Sequence, residues 1–159
     1  MKIAIISDTH DNLENLKTFF DFAKKEKIKI LIHCGDVCNG DTLREIENNF
    51  KKIYLSLGNG DIVDSLLKSA KKTKIFEKEG KIKIDKLKIG FSHVLKLKEK
   101  KLENFDFYFF GHTHYPFLKK EKNCYLANPG NLAGLSYKAT FAILNTKTKK
   151  LELKILEKI

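Results

Sequence analysis

At 159 residues and 42% apolar content, the chain is long enough to bury a core without staples and too apolar to be disordered by composition. No apolar run could span a bilayer and no charged-then-apolar leader opens the chain, so one soluble, cytoplasmic domain over residues 1–159 is expected, with no membrane partner. The net charge of +11 invites a nucleic-acid reading, but Arg44 is the single arginine among 31 basic residues, and arginine dominates base readout and bidentate phosphate recognition; the lysines, scattered in pairs such as Lys24-Lys25 and Lys149-Lys150, read as solubility and thermal adaptation, and no specific nucleic acid is expected.

Residues 2–7 predict a strand buried on both faces, ending at Ser7-Asp8-Thr9-His10. Asp11-x-x-Glu14 resembles a capping box, and Leu13, Leu16, Phe19, Phe20 and Ala23 share one face of the helix that follows. Residues 28–33 predict a second strand, ending His33-Cys34-Gly35-Asp36. Gly40-Asp41 opens a helix to about Asn49. Residues 52–57 predict a third strand, ending Gly58-Asn59-Gly60-Asp61, and Asp61 is placed to cap a short helix over 62–70. The alternation is that of a parallel α/β sheet.

Beyond Lys74 the texture changes. Segments 81–84 and 86–89 alternate around Asp85 as a hairpin, the second running into Gly90-Phe91-Ser92-His93. A short helix over 95–102 precedes the apolar run Phe105 to Phe110. Residues 115–127 predict a strand pair, Asn128-Pro129-Gly130-Asn131 a turn, and 140–145 with 151–156 a last hairpin. The architecture expected is two mixed sheets packed face to face with helices outside.

Polar residues without an obvious structural duty collect at strand ends: Asp8 and His10, Asp36, Asn59, His93, and the pair His112 and His114 after Gly111. In open α/β sheets ligands bind beyond the carboxyl ends of parallel strands. Singly, each has a plain alternative, since Asp8 and Asn59 could cap helices and Asp36 could sit in a turn. If the chain stays extended past Gly111, residues 112 and 114 share a face and both imidazoles point the same way. Carboxylates, an amide and four histidines form a mixed oxygen and nitrogen set suited to Mn, Fe, Ni, Co or Zn, too many ligands for one ion and enough for two sharing a carboxylate. The cysteines Cys34, Cys38 and Cys124 have no framework or thiolate-site spacing and read as reduced thiols.

The ordered set Asp8-x-His10, Gly35-Asp36, Gly58-Asn59-x-Asp61, His93 and Gly111-His112-x-His114 resembles the calcineurin-like metallophosphoesterases, most of all their small single-domain phosphodiesterase branch. The resemblance implies an α/β fold, a four-layer α-β-β-α sandwich. It also implies a centre of two divalent metals, manganese first, with Ni, Co, Fe, Zn or Mg as alternatives. By that resemblance Asp8, His10 and His114 hold one metal, Asn59, His93 and His112 the other, and Asp36 bridges. Asn59 would also meet the substrate. The implied reaction is phosphodiester hydrolysis by a hydroxide bridging the two metals, acting on a small phosphodiester. No side chain beyond the ligands is assigned to catalysis.

The chain departs from the family pattern in two places. Larger members carry a histidine at the position of Gly60, and Val94-Leu95 replaces the Gly-His that often follows the ligand histidine. His33 is assigned to structure. The competing reading is a non-catalytic scaffold of the same fold, as the retromer subunit of the family is known to be. The full ligand set is what speaks against it.

Overall fold

The computed structural model describes residues 1–96 and 102–159. Strand β1 (Lys2–Ile6), helix α1 (Leu13–Lys25), β2 (Ile30–His33), α2 (Gly40–Asn49), β3 (Lys52–Ser56), α3 (Val63–Ser69) and β4 (Thr73–Phe76) form the expected alternation, with one strand more than expected. β1 to β4 run parallel, and β10 (Thr140–Asn145) and β11 (Lys150–Ile155) add antiparallel strands in the order β11-β10-β1-β2-β3-β4. The second sheet contains β5 (Glu79–Ile84), β6 (Leu87–Ser92), β7 (Phe107–Phe110), β8 (Phe117–Glu121) and β9 (Cys124–Asn128) in the order β5-β6-β7-β9-β8. Its three central strands are parallel.

The period of two along the strands sorts the side chains. Ile3 and Ile5 of β1 join Ile89, Phe91, Phe107 and Phe109 in a core between the sheets. Ala4 and Ile6 face the other way, onto Leu16, Phe19, Leu43, Ile46 and Leu66 of the helices. Each large apolar side chain so buried stabilises the fold by roughly 1.5–3 kcal/mol. On its outer face the second sheet carries Tyr108, Phe110 and Leu126, against which Leu95 and Phe105 pack. The two mixed sheets with helices over the first are as expected. The short helix expected over 95–102 falls mostly on residues outside the described ones. Among the described residues no helix is long and apolar enough to cross a membrane.

Three local expectations are corrected. Helix α1 is capped by Asn12, whose side chain accepts from the Asn15 amide, while Leu13 is 44% exposed instead of lying on the buried face. Asp11 sits at φ 55° and accepts from Asn39 Nδ2, so its carboxylate ties the first loop to α2. Asp61 does not cap α3, whose N-cap is Ile62 without a side-chain bond. Strand β4, which the sequence reading passed over, starts where the buried Glu47 carboxylate of α2 accepts from the amides of Lys71, Lys72 and Thr73. A strand of only four residues carries little pattern of its own, and a distant carboxylate fixes where it begins.

Candidate metal centre

The carboxyl ends of β1, β2, β3, β6 and β7 meet at one edge of the two sheets, and the loops that leave them are bonded to one another. The amides of Asp8, Thr9 and His10 donate to the carbonyls of Gly35 and Asp36 at 2.9–3.1 Å, so the first loop hangs on the second. The Gly111 amide donates to the His93 carbonyl at 2.9 Å, joining the two loops of the second sheet. The sheets touch at Gly111 itself: a Cβ there would lie 2.0 Å from Ser7 Oγ and 2.8 Å from Asp8 Oδ2. Only glycine lets the end of β7 approach β1 so closely.

The chain does not stay extended past Gly111. His112 and His114 both adopt positive φ, 68° and 59°, and their imidazoles part instead of pointing the same way. His112 Nδ1 lies 3.2 Å from His93 Nε2, and His114 Nε2 lies 3.4 Å from His10 Nε2. Asp8, His10 and Asp36 also have positive φ, between 42° and 58°. Asp and His tolerate this region better than most residues, but it still costs on the order of 1 kcal/mol or more each. Five of the seven predicted site residues therefore share a strained backbone that the interlocked loops hold in place.

All seven predicted residues converge, in two groups. Asp8, His10 and His114 form the first, with His114 Nε2 3.3 Å and His10 Nε2 3.8 Å from Asp8 Oδ1. Asn59, His93 and His112 form the second, with His93 Nε2 2.9 Å from Asn59 Oδ1. Asp36 stands between them: its Oδ2 is 3.7 Å from His10 Nε2 and 3.5 Å from His93 Nε2.

The donor chemistry fits cations. Asp8 is fully buried, and its Oδ1 has no hydrogen-bond partner among the described residues. Burial pushes its pKa up, and the nearby His93, His114 and the His112 amide only partly oppose that shift. His93 Nδ1 faces the Cys34 carbonyl at 2.9 Å and must carry its proton there. In the neutral imidazole Nε2 is then a bare lone pair, facing the oxygen of Asn59 and a nitrogen of His112. A cation placed among these atoms would be held by all of them at once.

Several residues outside the ligand set support the site in ways the sequence did not reveal. Asp61 accepts from the amides of Gly58, Cys38 and Asp36 at 2.7, 2.8 and 3.2 Å, locking the Asn59 loop to the Asp36 loop. Burial pushes its carboxyl pKa up, and these bonds oppose that shift. Asn128 and Asn131, read only as turn residues, are fully buried. Asn128 Nδ2 donates to the Gly111 carbonyl and Asn131 Nδ2 to the His114 carbonyl, so both clamp the double-histidine loop. Two asparagines around Pro-Gly behind an apolar strand were the available signal. Cys38 Sγ lies 3.7 Å from His10 Nδ1, which leaves His10 Nε2 for the centre.

His33 is buried beneath the site. Its Nδ1 accepts from the Gly35 amide at 3.2 Å, so Nε2 carries the proton and faces Thr9 Oγ1 at 3.1 Å. Burial pushes its pKa down to about 3, so it stays neutral and braces the loops. Among the described residues all three cysteines are free thiols, and burial pushes Cys38 up to about 11.

Similarity to known proteins identifies the family. The profile of the calcineurin-like phosphoesterase superfamily domain matches residues 1–149. Phosphodiesterase MJ0936 of Methanocaldococcus jannaschii is 31% identical over 167 aligned residues, covering 99% of this chain and 100% of that protein. A solved structure described as a novel archaeal phosphodiesterase superposes with a TM-score of 0.82 at 29% identity, over 98% of this chain and 99% of its own. A variant of Vps29 from Entamoeba histolytica shares the fold, with a TM-score of 0.73 at 19% identity over 98% of this chain and 99% of its own. With the profile spanning most of its length, the chain belongs to the calcineurin-like phosphoesterase superfamily.

Proposed function

We propose that the protein is a metal-dependent phosphodiesterase acting on a small phosphodiester. The observation that carries this reading is the pairing of the buried, unpartnered Asp8 Oδ1 with the Asp36 carboxylate set between the two histidine groups. Asp8, His10 and His114 would hold one divalent cation and Asn59, His93 and His112 a second, with Asp36 shared. Two such cations, when bound, polarise the phosphoryl oxygens and lower the pKa of water, which is the chemistry an in-line displacement at phosphorus needs. Manganese is the first expectation for a set of carboxylate, amide and imidazole donors.

The rest is done by this chain's own groups. Asp8 and Asp36 supply the negative charge that retains the cations, and the neutral amide of Asn59 keeps that charge low enough to admit an anionic ester. The Cys34 carbonyl and Cys38 orient His93 and His10. At Gly60 there is no side chain to donate a proton, and its amide instead donates to Asp36 Oδ1 at 2.7 Å.

The test is metal analysis of protein purified without chelator, alongside hydrolysis of bis(4-nitrophenyl) phosphate with Mn, Ni, Co, Mg and Zn. Metal-dependent turnover with near two equivalents bound is expected. Full metal occupancy without turnover of any diester would favour the scaffold reading.

A further inference from the structure

A cavity of about 380 Å³ opens beside the second half of the centre, and Asn59 and His93 form part of its wall. Leu57 and Val94 add apolar surface, and Val94 is 36% exposed. Glu79 supplies a carboxylate. We propose that this cavity binds one ester arm of the substrate, and that the arm carries a vicinal diol, as a ribonucleoside or another sugar does. The inference rests on the phosphodiesterase reading and adds the class of substrate.

Three observations carry it. Position comes first. A phosphorus held over the two cation sites has two ester substituents, and one directed past Asn59 and His93 enters this cavity. Size comes second. The volume lies within the range of small-ligand pockets; a methyl group leaves most of it to water, and a sugar or nucleoside fills it.

Hydrogen-bond capacity comes third. Glu79 Oε2 lies 2.9 Å from Lys81 Nζ, and Glu79 Oε1 lies 3.3 Å from the Tyr108 hydroxyl. That hydroxyl also lies 3.0 Å from Ser92 Oγ, which itself donates to the Val94 carbonyl at 3.0 Å. Ser92 Oγ has thus spent its own proton, and Tyr108 has one proton for two acceptors, Ser92 Oγ and Glu79 Oε1. One of the two acceptors is left short of a donor, and both Ser92 and Glu79 line the cavity. A hydroxyl of the ligand satisfies it. A carboxylate bonding ribose hydroxyls is an established way of recognising such a diol, and Leu57 and Val94 offer the apolar surface a sugar ring or base packs on.

The test uses diesters that share a 4-nitrophenolate leaving group and differ in the second arm: methyl, uridine-5′, 2′,3′-dideoxyuridine-5′ and glucose-6. A KM for the diol-bearing arms about tenfold below that of the methyl ester is expected, with much of the gain lost in the dideoxy compound. Glu79→Gln should narrow the gap between uridine and dideoxyuridine, and Val94→Trp should narrow the gap between uridine and methyl. A lower KM for uridine than for glucose assigns the nucleoside, and the reverse assigns the sugar. Equal KM values for all four arms would overturn the proposal.

If no diester is hydrolysed with any metal, the phosphodiesterase reading fails and the cavity is tested directly. Uridine 5′-monophosphate should then shift the Leu57 and Val94 methyl resonances saturably, and the dideoxy analogue should shift them more weakly. Absence of any shift would overturn the cavity assignment as well.

Discussion

The two halves of the candidate centre are built differently. The first half, Asp8 with His10 and His114, has a fully buried carboxylate of its own and histidines held at positive φ. The second half, Asn59 with His93 and His112, has only a neutral amide of its own and borrows its negative charge from Asp36. Its fixed point is His93, 3% exposed and oriented by the Cys34 carbonyl. Charge retains a cation and neutral donors do so weakly. The first site should therefore be the tighter, and the second should depend on the shared Asp36 and open toward the substrate.

Asp36→Asn gives the largest break in that asymmetry. It removes the shared charge and leaves an amide nitrogen able to face Gly60's amide. Loss of activity by at least about 10²-fold is expected, exceeding the 10–100-fold typical of changes in outer partners. Elemental analysis should show both metals depleted, the second more than the first. Side by side, His114→Ala should chiefly empty the first site and His93→Ala the second. Near-full metal in all three variants would refute the ligand assignment.

A second prediction concerns the open side. Proton donation by a placed side chain is worth about 10²–10⁴-fold, and Gly60 offers none. Aryl diesters, whose phenolate leaves unaided, should outrun alkyl diesters by roughly 10²-fold or more. Equal rates would show that a side chain outside the ligand set supplies the proton. Gly60 is not at positive φ, but a Cβ there would meet Asp36 Cγ at 3.2 Å. Gly60→His should therefore press on the shared carboxylate and lower metal occupancy, and the aryl-to-alkyl ratio must be compared at equal metal content.

The smallest effect concerns the scaffold beneath the first half. Unfolded, His33 takes up a proton below about pH 6.5, whereas folded it resists until about 3. The unfolded chain then binds more protons across that window, so stability falls as pH falls, by up to about 1.4 kcal/mol per pH unit. The raised Asp8 carboxyl works in the opposite sense over the acidic part of that range, since its folded form takes a proton first. Thermal melts in chelator from pH 7 to 4 should show a flatter slope in His33→Gln. An unchanged slope would show that His33 is not the group responsible.

Much of this was legible in the chain because parallel α/β strands are short apolar runs that end in loops. The runs at 2–7, 28–33, 52–57 and 105–110 marked the strands, and the polar residues after them marked the edge where the candidate centre lies. The expectation failed where a local motif had rival uses. Asp11 and Asp61 both sit where helix caps belong, and both were instead drawn to amides or side chains of other loops. A carboxylate bonds the donors that folding brings nearest, and sequence spacing does not reveal these when they lie 20 or more residues away, as Cys38 does from Asp61.

By itself, then, the sequence determined the order of the elements apart from β4, most of the apolar faces, the polar residue types at the strand ends and the family those motifs resemble. Only the tertiary structure decided that His112 and His114 part company, that Asn128 and Asn131 clamp their loop, and that Glu79 and Ser92 compete for the Tyr108 hydroxyl beside the centre. The physical reason is range. Burial periodicity and strand-end chemistry act along the chain, whereas positive-φ loops, buried asparagines and unsatisfied acceptors are settled by which strand ends the two sheets bring within 3 Å of one another.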